Sequence, residues 1–436
     1  MFKYLYNSQD FKEIINLHNK LNNTQEYKEW DYFYLASSFN KLGQYKYAYE
    51  IGQECKRKFK EFKNINNVIG WSLYYGVIKN FNEEVDNVNS ILKYVDYITE
   101  LCEQEKFSPY ELTVKKIIKI IYSKVDTKID YKLGNKYLDL LDPNKLSNEE
   151  RIVKKDGVDK RIISDRENWY LKKSKALYEL KMYNECLNII NPKLPVTTTT
   201  PIIMYFIIER KFSESTEKNL RYRQACCYIA LSDYITAKKI LLDLSEKFTE
   251  WWIYEKLYQI EKSSGSFESA LKNASIALLR DNQHKARVKM LEDVGDYLIN
   301  NEYIKEAQYH YNLVRLVRKE EGWKENKRLE TLVNDENIKL SDKRDTLKYL
   351  NDFWKKYKYI DVTFEEGTIA HIMDGGRSGF IYSINGVSYH FVINNFLRKP
   401  RNINVGEKVK FIPKEGFDKK KNRKSQQAMD IEFIKQ

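Results

Sequence analysis

The sequence predicts a mainly α chain, an α-solenoid of paired helices, that ends in a small all-β barrel of five strands. Three observations carry this. Through most of the 436 residues, apolar positions recur at helical spacing. A short order of small, aromatic, glycine and tyrosine positions returns at roughly constant intervals. From Glu366 to Phe396 the pattern changes to period two, with glycines at 375, 376, 379 and 386. The predicted divisions are a solenoid over 1–340, a connecting helix over 341–360 and the barrel over 361–436.

The helical part is read first. Tyr34 to Ala48 predicts a helix, a tight turn at Gly43 and the start of a second helix. Small Ala36 and Ala48 let the two helices approach, and Phe39, Leu42 and Tyr45 fill the space around them. Ser174, Leu177, Leu180, Tyr183 and Cys186 repeat the order, with Lys181 in place of glycine. Ala225, Tyr228, Leu231, Tyr234 and Ala237 repeat it again. Gly265, Phe267, Ala270, Ala274 and Ala277 give a second helix, and Gly295, Leu298, Tyr303, Ala307 and Tyr311 a last copy. The alanines at 237, 270 and 307 step by 33 and 37 residues. This order resembles the tetratricopeptide repeat. The resemblance implies stacked helix pairs with a concave face that holds a protein or peptide partner.

Between these copies, Trp71–Phe81 with Val85–Leu101, and Glu111–Val125 with Tyr131–Leu141, predict helix pairs without the repeat order. Ser147 to Glu150 has the spacing of a capping box that opens a helix. Lys154 to Asp165 is polar and holds Gly157, which predicts a loop. Asn191 to Pro201, with its prolines and four consecutive threonines, predicts a loop or an extended strap. Ser341-Asp342 is placed to cap a last helix that runs through Trp354 to Tyr357.

The barrel strands are predicted at Thr368–Ile372, Phe380–Ile384, Val387–Val392, Lys408–Pro413 and Ala428–Ile434. Gly376-Arg-Ser-Gly-Phe-Ile381, Tyr389-His-Phe-Val-Ile393, Val405-Gly-Glu-Lys-Val-Lys-Phe411 and Ser425-Gln-Gln-Ala-Met-Asp-Ile431 follow one another in the order of the cold-shock domain. Residues 363–434 resemble that family, an OB-type barrel that stacks the bases of single-stranded RNA or DNA on strand aromatics. Phe380 matches its motif directly. His390 and His371 stand where it has further rings, while Ser378 and Val392 depart from it. The resemblance implies a stacking face of Phe380, His390 and His371. Arg377, Arg398, Lys399 and Arg401, and the run Lys419, Lys420, Lys421, Arg423 and Lys424, would contact phosphates. A solvated basic hairpin is the competing reading of that run.

Net charge is +13, from 75 Lys and Arg against 62 Asp and Glu. From Asp361 onward there are 13 basic and 9 acidic residues, about twice the basic excess per residue of the rest. Five cysteines, at 55, 102, 186, 226 and 227, form no C-x-x-C pair and suit a reduced, cytoplasmic chain. Of the vicinal pair, one thiol is expected inward and one at the edge of its helix. No apolar run of 18 or more predicts a membrane span, and the start does not read as a signal peptide. No phosphate-binding loop, H-E-x-x-H or nucleophile–base spacing occurs, so neither a cofactor nor a metal is expected. Asp156, Asp159 and Asp165 are read as solvated loop residues. The function these features imply is a non-enzymatic adaptor that binds single-stranded nucleic acid through the barrel and a protein through the repeats. The alternative is a protein scaffold whose barrel binds no nucleic acid.

Overall fold

The computed structural model describes residues 1–436 apart from 22–25, 83–86, 124–128, 192–211, 281–282, 325, 374, 419–422 and 435–436. Most of the strap predicted at 191–201, and Lys419 to Lys421, lie outside the described residues. The chain divides into two compact units, Met1–Lys247 and Phe248–Gln436. Among the described residues, no helix is long and apolar enough to cross a membrane.

The first unit contains α1 (Phe2–Asn7), α2 (Phe11–Leu21), α3 (Glu29–Lys41), α4 (Tyr45–Lys58) and α5 (Asn64–Leu73), which runs into a π-turn at Tyr74–Ile78. It continues through α6 (Asn89–Leu101), α7 (Pro109–Ser123) and α8 (Tyr131–Asp139) to a hairpin of β1 (Arg151–Lys155) and β2 (Val158–Ile162). It closes with α9 (Asp165–Glu179), α10 (Tyr183–Ile190), α11 (Glu214–Ala230) and α12 (Tyr234–Lys247). The second unit contains α13 (Trp251–Ser263), α14 (Phe267–Leu278), α15 (Val288–Ile299), α16 (Ile304–Glu320), α17 (Lys327–Leu332), α18 (Glu336–Leu340) and α19 (Lys343–Lys358). The barrel strands β3 (Glu365–Ile372), β4 (Ser378–Ser383), β5 (Ser388–Val392), β6 (Lys408–Asp418) and β7 (Arg423–Phe433) follow.

Five helix pairs share one turn, which also joins α1 to α2 with Gln9 at φ 60°. In α3/α4 the N–H of Gly43 donates to Asn40 and that of Gln44 to Phe39. The same two bonds close α9/α10, α11/α12, α13/α14 and α15/α16. Each turn puts one residue in the left-handed region: Gly43 (φ 75°), Lys181 (62°), Ser232 (64°), Gly265 (78°) and Glu302 (67°). Glycine is the low-strain choice there, yet the packing imposes the turn on four other residue types, Gln9 included. The alanines read as close contacts, Ala36, Ala48, Ala237, Ala270 and Ala307, are all fully buried.

The sequence between the pairs corrects two expectations. Ser147 starts no helix; its hydroxyl accepts from Glu149 N in a local turn. The capping box is Ser164 with Glu167: Glu167 N donates to the Ser164 hydroxyl at 3.1 Å, and Ser164 N donates back to the Glu167 carboxylate at 3.2 Å. The predicted loop at 154–165 is largely a two-stranded hairpin, whose turn residues Asp156 and Gly157 have φ of 53° and 77°. A third correction concerns the vicinal thiols, since Cys226 and Cys227 are both buried.

In the second unit, Tyr258, Leu271, Leu291, Tyr311 and Val314 form one apolar core with Leu350, Trp354 and Tyr357. The helix expected as a connector therefore shares the core of the preceding pairs. Asp342 caps it by accepting from Asp345 N at 2.8 Å. The barrel is closed, with strand order β3-β4-β5-β7-β6, and every pairing is antiparallel except β5 with β7. Ile369, Ile381, Phe391, Val409, Phe411 and Ile431 fill it. The last two strands exceed their predicted lengths. They continue as a paired ribbon to Asp418 and Arg423, on which Lys414, Glu415, Lys424 and Gln426 are exposed.

Candidate nucleic-acid interface on the barrel

Side chains of adjacent strands meet where their residues are paired, so register decides which chemistry is brought together. His371 on β3 pairs with Phe380 on β4, and Phe380 pairs with His390 on β5. His390 in turn pairs with Gln427 on β7. The four residues form one row across four strands. The Phe380 and His390 rings lie edge to face with centroids 5.4 Å apart. Phe380 and His390 are half-buried and His371 is exposed, whereas the flanking Gly379, Ile381, Tyr389 and Phe391 point inward. This alternation is the pleat itself. Phe380 is not a barrel-core residue.

The tight backbone beneath the row depends on Gly379. A Cβ there would lie 2.2 Å from the His371 carbonyl oxygen and 2.9 Å from the Phe391 ring. A second row, Thr368, Tyr382 and Ser388, runs beside the first. Tyr382 is 55% exposed and was not singled out from sequence, although its position two residues after Phe380 places it on the same face.

The basic residues divide into three groups. Arg377 is exposed in the β3–β4 turn, and its carbonyl accepts from Ile393 N at the end of β5. Arg398, Lys399 and Arg401 are exposed in the β5–β6 connection and form no ion pair among the described residues. Lys424 is exposed on the ribbon and pairs with Glu415 at 3.2 Å. Arg423 opens β7, and Lys419, Lys420 and Lys421 lie outside the described residues. At the other end of the barrel strand, Asp430 adopts φ 47° and receives both Lys358 Nζ at 2.6 Å and Tyr359 Oη at 2.9 Å. This joins α19 to β7. Burial and the Asp430 carboxylate push the Tyr359 phenol well above its ordinary range.

A second concave surface lies in the first unit. A cavity of about 920 Å³ has Tyr6, Trp30 and Phe33 on one side and Tyr45, Trp71 and Tyr75 on the other. Tyr75 stacks on Tyr45 at 5.6 Å and on Trp71 at 5.4 Å. The π-turn carries Tyr75, and such turns recur at functional sites. Lys41 and Lys63 share the rim with Glu103 and Glu105. Nothing in the local sequence marks the π-turn, so this wall was not foreseen.

Among the described residues, no group of three or more His, Cys, Asp or Glu is arranged to hold a metal ion. Asp165, one of the acids noted in sequence, accepts from Lys115 and Arg151 instead.

Comparison with known proteins gives a limited placement. Residues 218–357 match the description of a domain of unknown function (DUF7017), a segment that ends within α19. No curated protein matches the chain. Among solved structures, the chain is similar to a thermophilic TPR protein of Thermus thermophilus, at 12% identity, covering 60% of this chain and 96% of that one with a TM-score of 0.16.

Proposed function

We propose that the protein is a non-enzymatic adaptor whose barrel, of the OB type, binds single-stranded RNA or DNA and whose helical repeats hold a protein partner. The row His371, Phe380, His390 carries this reading, because it sets one benzene ring and two imidazoles side by side on an outward face. Bases stack on such rings with little regard to sequence. The uncompensated Arg377, Arg398, Lys399 and Arg401 supply positive charge in the connections before β4 and after β5, which leave the β4/β5 pair at the same end. The aromatic cavity of the first unit is the proposed protein-binding surface.

The test uses the full chain and a fluorescent single-stranded oligonucleotide. Stacking one base is worth about 1–3 kcal/mol, so Phe380→Ala should weaken binding roughly tenfold or more with an unchanged melting temperature, and His390→Ala less. Replacing Arg398, Lys399 and Arg401 by serine should flatten the salt dependence by about 0.7 per lost contact in log–log terms. Unchanged affinity of a folded Phe380→Ala chain overturns the nucleic-acid reading. A second reading, a scaffold whose barrel meets protein, is favoured by the exposed apolar Tyr382, Ile384 and Val405 on the barrel. It predicts that Ile384→Ser removes a partner while Phe380→Ala does not.

A further inference from the structure

Between α7, the end of α8 and α9 lies a second cavity, of about 300 Å³. Its wall is mainly aliphatic: Leu112, Ile118, Leu138, Leu141 and Leu146, with Tyr74 and Trp169 beside them. Trp169 is fixed in place, since its indole N–H donates to the Leu138 carbonyl at 2.9 Å. Lys115, Lys116, Lys119 and Lys172 also line the cavity, against a single acid, Asp165. That acid is already engaged by Lys115 and Arg151. Lys116, Lys119 and Lys172 therefore have no carboxylate partner among the described residues.

Of the three, Lys119 is exposed and Lys116 half-buried, while the Lys172 ammonium lies over the Tyr122 ring at 5.4 Å; a lysine beside an apolar wall ordinarily meets an acid or reaches water. Lys172 is half-buried, and burial together with the neighbouring Lys119 holds its ammonium below the ordinary lysine range. An anion placed among the three would reverse that penalty, and an aliphatic chain would cover the leucines. The small volume suits one free chain, not a membrane surface. The lining offers the leucines in place of a set of stacked rings, which distinguishes it from a base-binding face.

We propose that this cavity binds a free anionic amphiphile of the fatty-carboxylate class, with its head group among Lys116, Lys119 and Lys172 and its aliphatic chain against Leu112, Leu138 and Leu141. The site is separate from the barrel row and does not depend on the nucleic-acid reading.

Isothermal titration of the full chain with decanoate, kept below its micelle concentration, tests this. Saturable binding of one decanoate per chain is expected. Decanol, which lacks the charge, and inorganic phosphate, which lacks the chain, should each bind at least tenfold more weakly. Lys172→Gln and Lys119→Gln should each weaken decanoate at least tenfold, and Lys172→Arg should restore most of it. Lys119 is exposed, so Lys119→Gln carries the test should Lys172→Gln fail to fold. Equal binding of decanol, equal binding of phosphate, or unaltered decanoate binding by folded Lys119→Gln overturns the proposal. So does displacement of decanoate by a single-stranded oligonucleotide, which would assign the lysines to phosphates.

Discussion

The helix pairs α13/α14 and α15/α16 differ sharply from the stretch between α5 and α9. In the former, one turn recurs, small residues sit at each close approach, and a buried histidine has both ring nitrogens engaged. His310, fully buried, donates from Nδ1 to the Glu306 carbonyl and accepts from the Trp354 indole at 3.0 Å. In the latter, α5 loosens into a π-turn, a hairpin with an exposed second strand intervenes, and three lysines without a carboxylate partner among the described residues line a cavity. Both cavities draw residues from this irregular stretch. Regular repeats consume their side chains in packing one another. Where the repeat lapses, rings and charges are left for something else, which is where function is expected when local rules are broken.

The strongest test of this contrast removes one large ring from each side. Trp354→Ala in the second unit should cost about 3–5 kcal/mol, with an added penalty for the His310 Nε2 left without its donor. Trp71→Ala, in the half-buried cavity wall, should cost less than half as much. Chemical denaturation followed by circular dichroism reads both. The two units need not unfold in one step, so separate transitions are expected, with Trp354→Ala moving only one. Equal losses would mean that the cavity wall is as tightly packed as the repeat core.

Next in size is an acid sensitivity in the regular half. His310 has both ring nitrogens committed as a neutral imidazole, and burial lowers its pKa to about 4. An unfolded histidine titrates near 6.5, so between those values the unfolded chain binds the extra proton. The stabilisation is complete above the upper value and is lost as pH falls toward about 4, by up to roughly 3 kcal/mol. His310→Gln should flatten the pH dependence of the second unit's unfolding over this window. A dependence of the same steepness in the variant would place the titrating group elsewhere.

These tests concern features that differ in how far the sequence disclosed them. The helix pairs were legible because burial imposes a period on Ala36, Ala48, Ala270 and Ala307, and the barrel strands because short period-two runs through Ile369, Ile381 and Phe391 are punctuated by glycines. The row of Phe380, His371 and His390 was legible residue by residue, although only register shows that they are adjacent. The hairpin at 151–162 was missed because its second strand is exposed throughout, leaving only Asp156-Gly157 as a signal. The lysine-lined cavity could not be read at all, since α7, α8 and α9 each contribute a few of its residues and none carries a local motif.

Close helix approach gives the next prediction. Ala270 is fully buried in the second helix of its pair. Ala270→Leu should overpack the second unit by roughly 1–3 kcal/mol, measured as a lowered melting temperature. An unchanged value would show that α13 and α14 can separate without loss, against the account of regular packing given above.

The smallest effect concerns the shared turn, and it runs in both directions. Glu302 occupies the left-handed region at φ 67°, as Gly265 does at 78° one pair earlier. An L-residue pays about 1–2 kcal/mol there through contact between its Cβ and backbone, and glycine avoids it. Glycine also loses more entropy on folding, which offsets roughly 0.4–1 kcal/mol of the gain. Glu302→Gly should therefore stabilise the second unit by some tenths to about 1 kcal/mol, while Gly265→Ala should destabilise it by a similar amount. A Cβ added at Gly265 would meet no atom within 4 Å, so steric contact with neighbours does not confuse the second measurement. If the two substitutions shift the melting temperature in opposite directions, the turn is imposed by the packing of the pairs on whatever residue occupies it. If Glu302→Gly destabilises, the Glu302 side chain contributes more than its backbone strain costs, and the turns are not equivalent.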